Sequence, residues 1–476
     1  MTTTAIQNVE SHLDSFTEFQ KLAAGRNLPW LQKLRADAFT RFCETGFPTT
    51  HDEDWRFTNV AAVARTQFAL AQRGETRLSE SVWKSWRVEG AAGQLVFLNG
   101  QFVRELSTFG SLPAGIAISG LKEQIARSPQ AVQAHLGRYL DTGRDPFSAL
   151  NTAFMEDGAY VWVPRGTVLE RPIHLLFIST ETAGPSMSHP RNLLVFEDES
   201  QATIIEDYVS AVDTGFAPAP AQGTNPVFCN SATELIAGES ASISHYMIER
   251  EHRQTFNFST LRIQQQRSSN VASHSLLIGG GLVRNNVHPV LAGEGGECLI
   301  NGLFVGNGHQ HLDNFMHVEH ASPHCSSRQF YNGILDGHAH GVFHGRIVVH
   351  KDAQKTDAKQ TNRNLLLSDD AQIDTKPQLE IYADDVKCTH GATIGQIEEN
   401  ALFYLRSRGL DEISARHLLL LAFAGECLER MKPGPARTHV EQLIREQLLR
   451  PGSFAADKSA NHQKQSEAER SWEEVG

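Results

Sequence analysis

The feature that most constrains the fold is the central segment from Ala159 to Ile394, which has scarcely one window of helical periodicity. It consists of short apolar or alternating runs, such as 160–163, 174–178, 256–263 and 345–349, separated by Gly, Asp and Asn. Alternation over a few residues between turn-forming residues is typical of β-strands. The segment is therefore predicted to form an all-β domain.

A loose repeat recurs in the turns of this segment. Residues 196–204, 237–243 and 292–300 each place acidic and small residues before an alternating strand, and shorter versions occupy 351–353 and 368–373. Irregularly spaced units of turn and strand favour a β-solenoid, in which successive coils stack and loops absorb insertions. A β-sandwich or a double cupin barrel would give a similar pattern, so the repeat alone leaves all three architectures open.

Helical periodicity precedes the β segment. The apolar spacing from Phe16 to Phe42 predicts two helices divided near Gly25, with Pro29 near the start of the second. A further helix is predicted from Leu121 to Leu140, and a small β element near 94–103. The N-terminal part is therefore expected to be mostly helical.

Helical periodicity also returns after the β segment. A helix over residues 400–408 ends at Gly409, Asp411 then caps a second helix, and a third is predicted to begin at Thr438 and to stop before Pro451. The predicted organisation is an N-terminal helical domain, a β core, a C-terminal helical domain and a disordered tail, at 1–150, 151–397, 398–452 and 453–476.

Composition limits the classes of partner and compartment. The chain carries 43 Lys and Arg against 55 Asp and Glu, a net charge of -12, without a dense basic run of the kind that binds nucleic acid. Its six cysteines include no C-x-x-C pair, which favours a reducing compartment over a disulfide framework. No apolar run reaches about 18 residues, and the N-terminus has no apolar signal segment. These features predict a soluble, cytoplasmic protein that contacts neither membrane nor nucleic acid.

Histidine is concentrated near the end of the β segment. Nine of the 22 histidines lie between His309 and His350, which favours a metal site. If the pairs His309/His311 and His338/His340 lie on strands, each places two imidazoles on one face. One hypothesis is therefore a metal-dependent cupin-like or carbohydrate-active β-helix enzyme, although the carboxylate and third His of a cupin site are not supplied at clear offsets. Stacking or hydrogen bonding of His along solenoid strands is the alternative.

A thiol and an imidazole, Cys388 and His390, lie two residues apart where the β segment gives way to helix. Residues i and i+2 of a strand point to the same side, so both are presented to one metal ion or cluster. The adjacent Lys387 is expected to favour the thiolate. Two ligands do not complete a four-coordinate site, so a partner chain or other residues must supply the rest. A half-buried cysteine beside a polar strand-end histidine is the simpler interpretation.

Motifs for nucleotide hydrolysis and acyl transfer are missing from the sequence. No G-x-x-x-x-G-K-[ST] loop occurs, and residues 279–281 lack the Lys and following helix that cradle a phosphate. No G-x-S-x-G elbow occurs either. The sequence therefore predicts no nucleotide site on this chain.

Several longer motifs follow one another along most of the chain. The most specific is VKCTHGATIG at 386–395. The others are GFPTTHDEDWRFT at 46–58, YNGILDG at 331–337 with GVFHGRI at 341–347, QTNRNLLLS at 360–368 and LFYLRSRG at 402–409. Together they resemble the SufB/SufD family of scaffold proteins of the SUF iron-sulfur cluster assembly system, and its SufD branch in particular.

The resemblance implies a non-enzymatic scaffold whose core is a right-handed parallel β-helix between helical ends. In the family, SufD pairs with SufB through their β-helices, and each binds one copy of the ATPase SufC through its C-terminal helical region. Residues from about Asn400 to Leu449 are therefore expected to dock SufC, and ATP hydrolysis would belong to that partner. A homodimer and a flavin site are left open.

The resemblance also implies where the missing ligands lie. In the family, a SufB cysteine at the interface meets the SufD histidine that matches His390, with Cys388 beside it. The expected cofactor is thus a transient iron-sulfur cluster shared with SufB. Because the cysteine-rich cluster motifs of some SufB proteins are absent, no stable cluster is expected on this chain alone.

Overall fold

The fold was analysed in a computed structural model, which describes residues 3–71, 80–180, 182–211, 225–450 and 454. The helices are α1 (Thr3–Leu22), α2 (Pro29–Thr45), α3 (Ala61–Arg65), α4 (Glu80–Ser85), α5 (Leu121–Arg127), α6 (Pro129–Gln133), α7 (Pro146–Phe154), α8 (Glu399–Ser407), α9 (Glu412–Leu428) and α10 (Pro435–Leu448), with 3-10 turns η1 (Glu53–Trp55) and η2 (Arg104–Leu106). The strands are β1 (Ala69–Leu70), β2 (Gly93–Leu98), β3 (Gln101–Phe102), β4 (Thr108–Phe109), β5 (Ala117–Gly120), β6 (Ala159–Val163), β7 (Ile173–Ser179), β8 (Ser186–Ser188), β9 (Arg191–Phe196), β10 (Gln201–Ser210), β11 (Val227–Ala237), β12 (Ser242–Arg250), β13 (Thr255–Gln265), β14 (Asn270–Leu277), β15 (Leu282–Leu291), β16 (Glu297–Gly306), β17 (His311–His320), β18 (Ser326–Leu335), β19 (His340–Val349), β20 (Asp357–Leu366), β21 (Gln372–Ile381) and β22 (Lys387–Gly395).

Two long sheets form a β-solenoid of about seven turns with helices at both ends. Sheet 1 runs β5, β6, β9, β11, β13, β15, β17, β19, β21, and sheet 2 runs β3, β2, β7, β10, β12, β14, β16, β18, β20, β22. Successive coils pair in parallel, so that His311 faces His340 in sheet 1 and Cys298 faces Ser327 in sheet 2. The predicted β-solenoid is thus confirmed, and the sandwich and barrel alternatives are wrong.

Four of the five repeat segments lie at the corner that leads into sheet 2, whereas the segment at 368–373 precedes β21 of sheet 1. The backbone N–H at this corner donates to the carbonyl of the next coil, as from Ser240 to Arg267 at 2.9 Å. In six of the seven corners the residue that follows is small and buried because it points into the interior, as Ala241 and Cys325 do. Acidic and small residues therefore recur because one stacked corner recurs. The corner residues, one per coil and all with positive φ, are Gly166, Glu199, Ser240, Ser268, Gly295, His324 and Lys355.

Helices cover the outer faces of both sheets over most of their length. An aromatic cluster that includes Phe39 of α2 and Phe147 of α7 packs on sheet 1 against Phe258. Leu420 of α9 and Ile444 of α10 belong to the cluster that covers sheet 2. Parallel strands with two covered faces are buried along their whole length, and β7 and β9 are buried at every residue.

The two ends of the solenoid differ. At the N-terminal end, β5 lies antiparallel to β6, and β3 and β4 lie antiparallel to β2, which closes both sheets. At the C-terminal end, β21 and β22 are the last strands, and no other strand of the described residues pairs with their outer edges. Every residue of these two strands is at least partly exposed. We call the outer edges of β21 and β22 the open edge.

Most of the predicted helices are present, with corrections that proline explains. The helix predicted from Leu121 to Leu140 is broken into α5 and α6 followed by turns, because Pro129 starts a new helix after Ser128. The last helix begins at Pro435 rather than Thr438, since proline is well accommodated in a first turn. The predicted β element near 94–103 is present as β2 and β3. The predicted tail lies outside the described residues, apart from residue 454.

Candidate functional site

Strand β22 places Cys388 and His390 on the last coil of sheet 2. Cys388 is in register with Ala358, and His390 is in register with Gln360. Ala358 and Gln360 are buried, and Cys388 packs partly against the interior core, whereas His390 is exposed. Both residues therefore lie on one side of the strand, as their spacing predicts.

The thiol of Cys388 does not fit the expected thiolate. Burial raises its pKa and the carboxylate of Asp357 raises it further, although a hydrogen bond from the backbone of Ala358 acts in the opposite direction. The neighbouring Lys387, on the other side of the strand, does not offset these effects. In the isolated chain Cys388 is thus a neutral thiol, which has to lose its proton before it can bind a metal.

The pair does not form a complete metal site within this chain. Among the described residues, one group of three His, Cys, Asp or Glu side chains is close enough to hold a metal ion, and it contains neither Cys388 nor His390. A tetrahedral site needs four ligands. The geometry is therefore that of an incomplete ligand set at the end of the solenoid.

The open edge also exposes unpaired backbone groups. The N–H of Lys387 donates to the carbonyl of Thr356 at 2.8 Å, and the direction of N–H groups alternates along a parallel strand. The N–H groups of even-numbered residues within 388–394 therefore point away from β20. Such an edge is a template for a further strand. Three apolar side chains beside it are exposed, which the sequence did not single out: Ile381, Tyr382 and Ile394.

The C-terminal helices have both buried and exposed apolar faces. Leu420 of α9 and Ile444 of α10 are buried, so one face of each of these helices is core. Helix α8 has no buried residue. No helix of the described chain is long and apolar enough to cross a membrane. The exposed apolar residues, which we call the α8–α9 patch, are Phe403, Tyr404, Leu410, Ile413 and Leu418.

The histidines from 309 to 350 do not form one site. The condition that both members of each H-x-H pair lie on a strand is not met, because β17 begins at His311 and β19 at His340, which leaves His309 and His338 in turns. The rings instead meet between coils: His309 and His338 stack at 4.8 Å, and His311 meets His340 edge-on at 4.7 Å.

Hydrogen bonds account for several of the buried histidines. The Nε2 atom of His311 lies 3.0 Å from Thr58 Oγ1, and that of His320 lies 2.8 Å from Ser327 Oγ. His317 differs, because it lies against a histidine outside the predicted window, His288, with ring centroids 4.1 Å apart. Stacking and hydrogen bonding between coils therefore explain many of the histidines from 309 to 350, but not the pair of His288 and His317.

The motif at 46–58 attaches the N-terminal region to sheet 1. Trp55 is buried, and the guanidinium of Arg284 lies 3.8 Å from its ring centroid. The hydroxyl of Thr58 donates to Asp313 Oδ2 at 2.6 Å, and Arg284 donates to the same oxygen at 2.5 Å. The contacts of this motif thus hold the N-terminal region against sheet 1.

Known proteins with related sequences place the chain in a family. A family model of the SufBD protein N-terminal region matches residues 6–175, and the model of the SUF system FeS cluster assembly SufBD core domain matches residues 177–423. An iron-sulfur cluster assembly SufBD family protein of Synechocystis is 35% identical over 92% of this chain and 95% of its own length. The iron-sulfur cluster assembly protein SufD of Escherichia coli is 31% identical over 85% of this chain and 90% of its own length. The chain therefore belongs to the SufBD family of the SUF iron-sulfur cluster assembly system.

Proposed function

We propose that this chain is a non-catalytic scaffold subunit for iron-sulfur cluster assembly, which pairs with SufB and binds the ATPase SufC. The observation that carries the proposal is the open edge. In the described residues, β21 and β22 end the two sheets with no strand paired to their outer edges, whereas antiparallel strands close the opposite end. An uncovered edge on an otherwise covered solenoid favours a partner that supplies strands.

A second β-helix of the same family fits this edge. The outward N–H groups of β22 would pair with its last strand, and the exposed side chains of Ile381, Tyr382 and Ile394 would be removed from water. Backbone pairing would supply affinity, and the side chains would set the register. SufB is the proposed occupant, and a second copy of this chain is the alternative that the pull-down below separates from it.

In this arrangement His390 would contribute a ligand to a nascent cluster at the interface, with Cys388 beside it. Both side chains lie on the last coil, and the described residues offer no third ligand close to them. SufB would therefore supply the remaining ligands, so the cluster would be transient and shared. Binding of iron would displace the proton that the raised pKa of Cys388 retains.

The α8–α9 patch is the proposed surface for SufC. Phe403 is 74% exposed and Tyr404 is 56% exposed, although both are large apolar side chains on one short helix. An exposed apolar patch of this kind is typical of a protein interface. Helix α10 is excluded from the centre of this surface because its apolar face packs on the solenoid.

Pull-down of the full chain with SufB and SufC tests the two surfaces separately. We expect Tyr382→Ser/Ile394→Ser to lose SufB but to retain SufC, and Phe403→Ser/Tyr404→Ser to do the reverse. The control Leu22→Ser changes an apolar side chain that is 78% exposed on α1 and should retain both partners. Retention of SufB by the first variant would contradict the open-edge assignment, and capture of this chain alone would favour the homodimer.

Replacement of His390 tests the cluster ligand. We expect His390→Ala to abolish cluster maturation in cells while the complex with SufB and SufC still assembles, because the exposed imidazole makes no core contact. The neighbouring Thr389→Ala, on the other side of β22, is the matched control. Normal maturation in His390→Ala would reject the ligand role, and the same assay of Cys388→Ser decides whether the thiol contributes.

A further inference from the structure

A small cavity lies between the outer face of sheet 1 and the N-terminal region. It encloses about 130 Å³ and is covered by residues of η1 and of the segment that leads into α7. Strands β15 and β17 contribute His288, His317 and Glu319 to its lining. Their potential ligand atoms all lie within 4.8 Å of one another, and the described residues contain no other such group of three.

The register of adjacent coils creates this group. Val287 pairs with Met316, so the next residues, His288 and His317, occupy one row of sheet 1. Glu319 follows His317 by two residues and points to the same face of β17. Its Oε1 atom lies 3.9 Å from His317 Nε2. The three side chains therefore converge because of pairing between coils, at positions far apart in the sequence.

Both imidazoles are poorly satisfied by the surrounding protein. The Nε2 atoms of His288 and His317 are buried and have no hydrogen-bond partner among the described residues. Burial, together with neighbouring cationic groups, lowers the pKa of His288 and lowers that of His317 to about 3, so both rings are neutral. A buried polar atom without a partner is costly, and the nitrogen of a neutral imidazole is a good metal ligand.

The charged groups around the cavity include neighbours of Glu319 that a bound ion would have to displace or share with it. Arg346 has a carboxylate partner of its own, since its Nε lies 3.2 Å from Glu380 Oε1. Arg262 lies 3.8 Å from Glu319, a contact that a cation bound to this carboxylate would replace. His350 lies 3.6 Å from the second oxygen of Glu319 and would orient it.

We propose that His288, His317 and Glu319 bind a divalent first-row transition-metal ion. Two imidazoles and one carboxylate on one side of an ion leave its other positions open to water. Ligand atoms at about 2.1 Å from an ion lie roughly 3.0–3.5 Å apart, so the three side chains have to approach one another by about 1 Å. The inference is independent of the scaffold proposal, because β15 and β17 belong to sheet 1 and the proposed cluster ligands lie on β22 of sheet 2.

The competing interpretation is that His288 and His317 are stacked histidines that bind no metal. The chain contains a second group of two histidines and a carboxylate with which they can be compared. His309 and His338 stack at 4.8 Å, and Asp370 Oδ2 lies 3.8 Å from His338 Nδ1. These side chains have the same chemistry as a ligand set, but His338 is 58% exposed and Asp370 is 71% exposed. The exposed group therefore serves as the control for metal binding by His288, His317 and Glu319.

Titration with Co²⁺ tests the proposal on the full chain that carries Cys388→Ser/His390→Ala, which removes the candidate ligands of the open edge. We expect one equivalent of Co²⁺ to give visible absorption bands that Zn²⁺ abolishes, and to raise the Tm. His288→Asn and His317→Asn should each weaken Co²⁺ binding more than about tenfold and remove the increase in Tm. Glu319→Gln should also weaken binding while it preserves the size of the side chain.

The control His309→Asn/His338→Asn should bind Co²⁺ as the parent does. Absence of Co²⁺ and Zn²⁺ binding by the folded parent would overturn the proposal. So would parental affinity in the ligand variants, or an equal loss in the control. If a histidine variant loses its circular dichroism spectrum, Glu319→Gln decides the outcome, because it changes the charge of one ligand with little change in volume.

Discussion

The closed and open ends of the solenoid differ in whether the outermost parallel strand of each sheet is paired on its outer edge. At the N-terminal end, short antiparallel strands pair with β2 and β6, and helices cover the outer faces. At the C-terminal end, β21 and β22 have a neighbour on one side only, and their residues are exposed or partly exposed. An uncovered edge promotes unwanted pairing unless a partner occupies it.

This difference separates residues that maintain the fold from residues that are available to a partner. Side chains of the inner coils have neighbours on both sides and in both layers, so their replacement should be measured as a loss of stability. Side chains at the open edge lack half of those neighbours, so their replacement should be measured as a loss of assembly. Matched substitutions in the two regions test this distinction.

The largest contrast is expected between two aspartates that each pair with a cation. Buried Asp207 accepts hydrogen bonds from Arg250 at 2.9 and 2.7 Å, whereas Asp385 pairs with Lys355 at the exposed end. Asp207→Asn should lower the free energy of unfolding by about 3–5 kcal/mol, because it leaves a buried guanidinium uncompensated. Asp385→Asn should lower it by less than about 1 kcal/mol. Chemical denaturation at pH 7 measures both.

The same aspartate should contribute to acid sensitivity. Burial alone would raise the pKa of Asp207, but the Arg250 guanidinium and the nearby imidazoles of His174 and His439 lower it well below its ordinary value of 3.8. Its contribution is therefore complete above pH 3.8 and is lost as the pH falls through the lowered folded-state pKa. The stability of Asp207→Asn should decline less steeply below pH 4 than that of the wild type. Equal acid slopes would contradict this assignment.

A smaller contrast in stability is expected between an isoleucine of the inner coils and an isoleucine of the open edge. Ile300 is fully buried inside the solenoid, whereas Ile394 is 52% exposed on β22. Ile300→Ala should lower the free energy of unfolding by about 2–5 kcal/mol through a cavity, and Ile394→Ala by less than about 1 kcal/mol. A large loss of stability in Ile394→Ala would show that the open edge belongs to the core.

The smallest changes in stability are expected from proline within β22. The N–H of Thr393 points to β20 and that of Ala392 points to the open edge, by the alternation that starts at Lys387. Thr393→Pro should lower the free energy of unfolding by about 1–3 kcal/mol, because it removes a strand hydrogen bond. Ala392→Pro should have a smaller effect on folding but should weaken capture of SufB. Normal capture by Ala392→Pro would contradict backbone pairing at this edge.

The pattern of apolar and turn residues was sufficient to predict the local secondary structure and the repeat of the solenoid. Apolar spacing located α1 and α2 on either side of Gly25, and the repeated turn marked the corner at Ser240 and Gly295. Pro129 was a visible signal for the break between α5 and α6, because a proline usually begins a helix rather than continuing one. Errors in local structure therefore had causes within a few residues.

Contacts between coils were not predictable in the same way. His317-Val-Glu319 is an ordinary tripeptide, and its approach to His288 depends on which residue of β15 lies opposite which residue of β17. Loop lengths vary between coils, so this register has no fixed offset in the sequence. The position of Cys388 and His390 on one strand was predictable, whereas the raised pKa of the thiol depends on burial and on Asp357 from the preceding coil.

The stacked corner also makes the solenoid a spacer of defined length. Each coil contributes the same backbone hydrogen bond at this corner, so adding or deleting one complete coil would preserve the pattern of its neighbours. With about seven turns at a strand spacing of roughly 4.8 Å, the coils span on the order of 30 Å. Coil number therefore fixes the distance between the closed end, at β3 and β5, and the open edge, and a change in that number would alter the distance without redesigning either end.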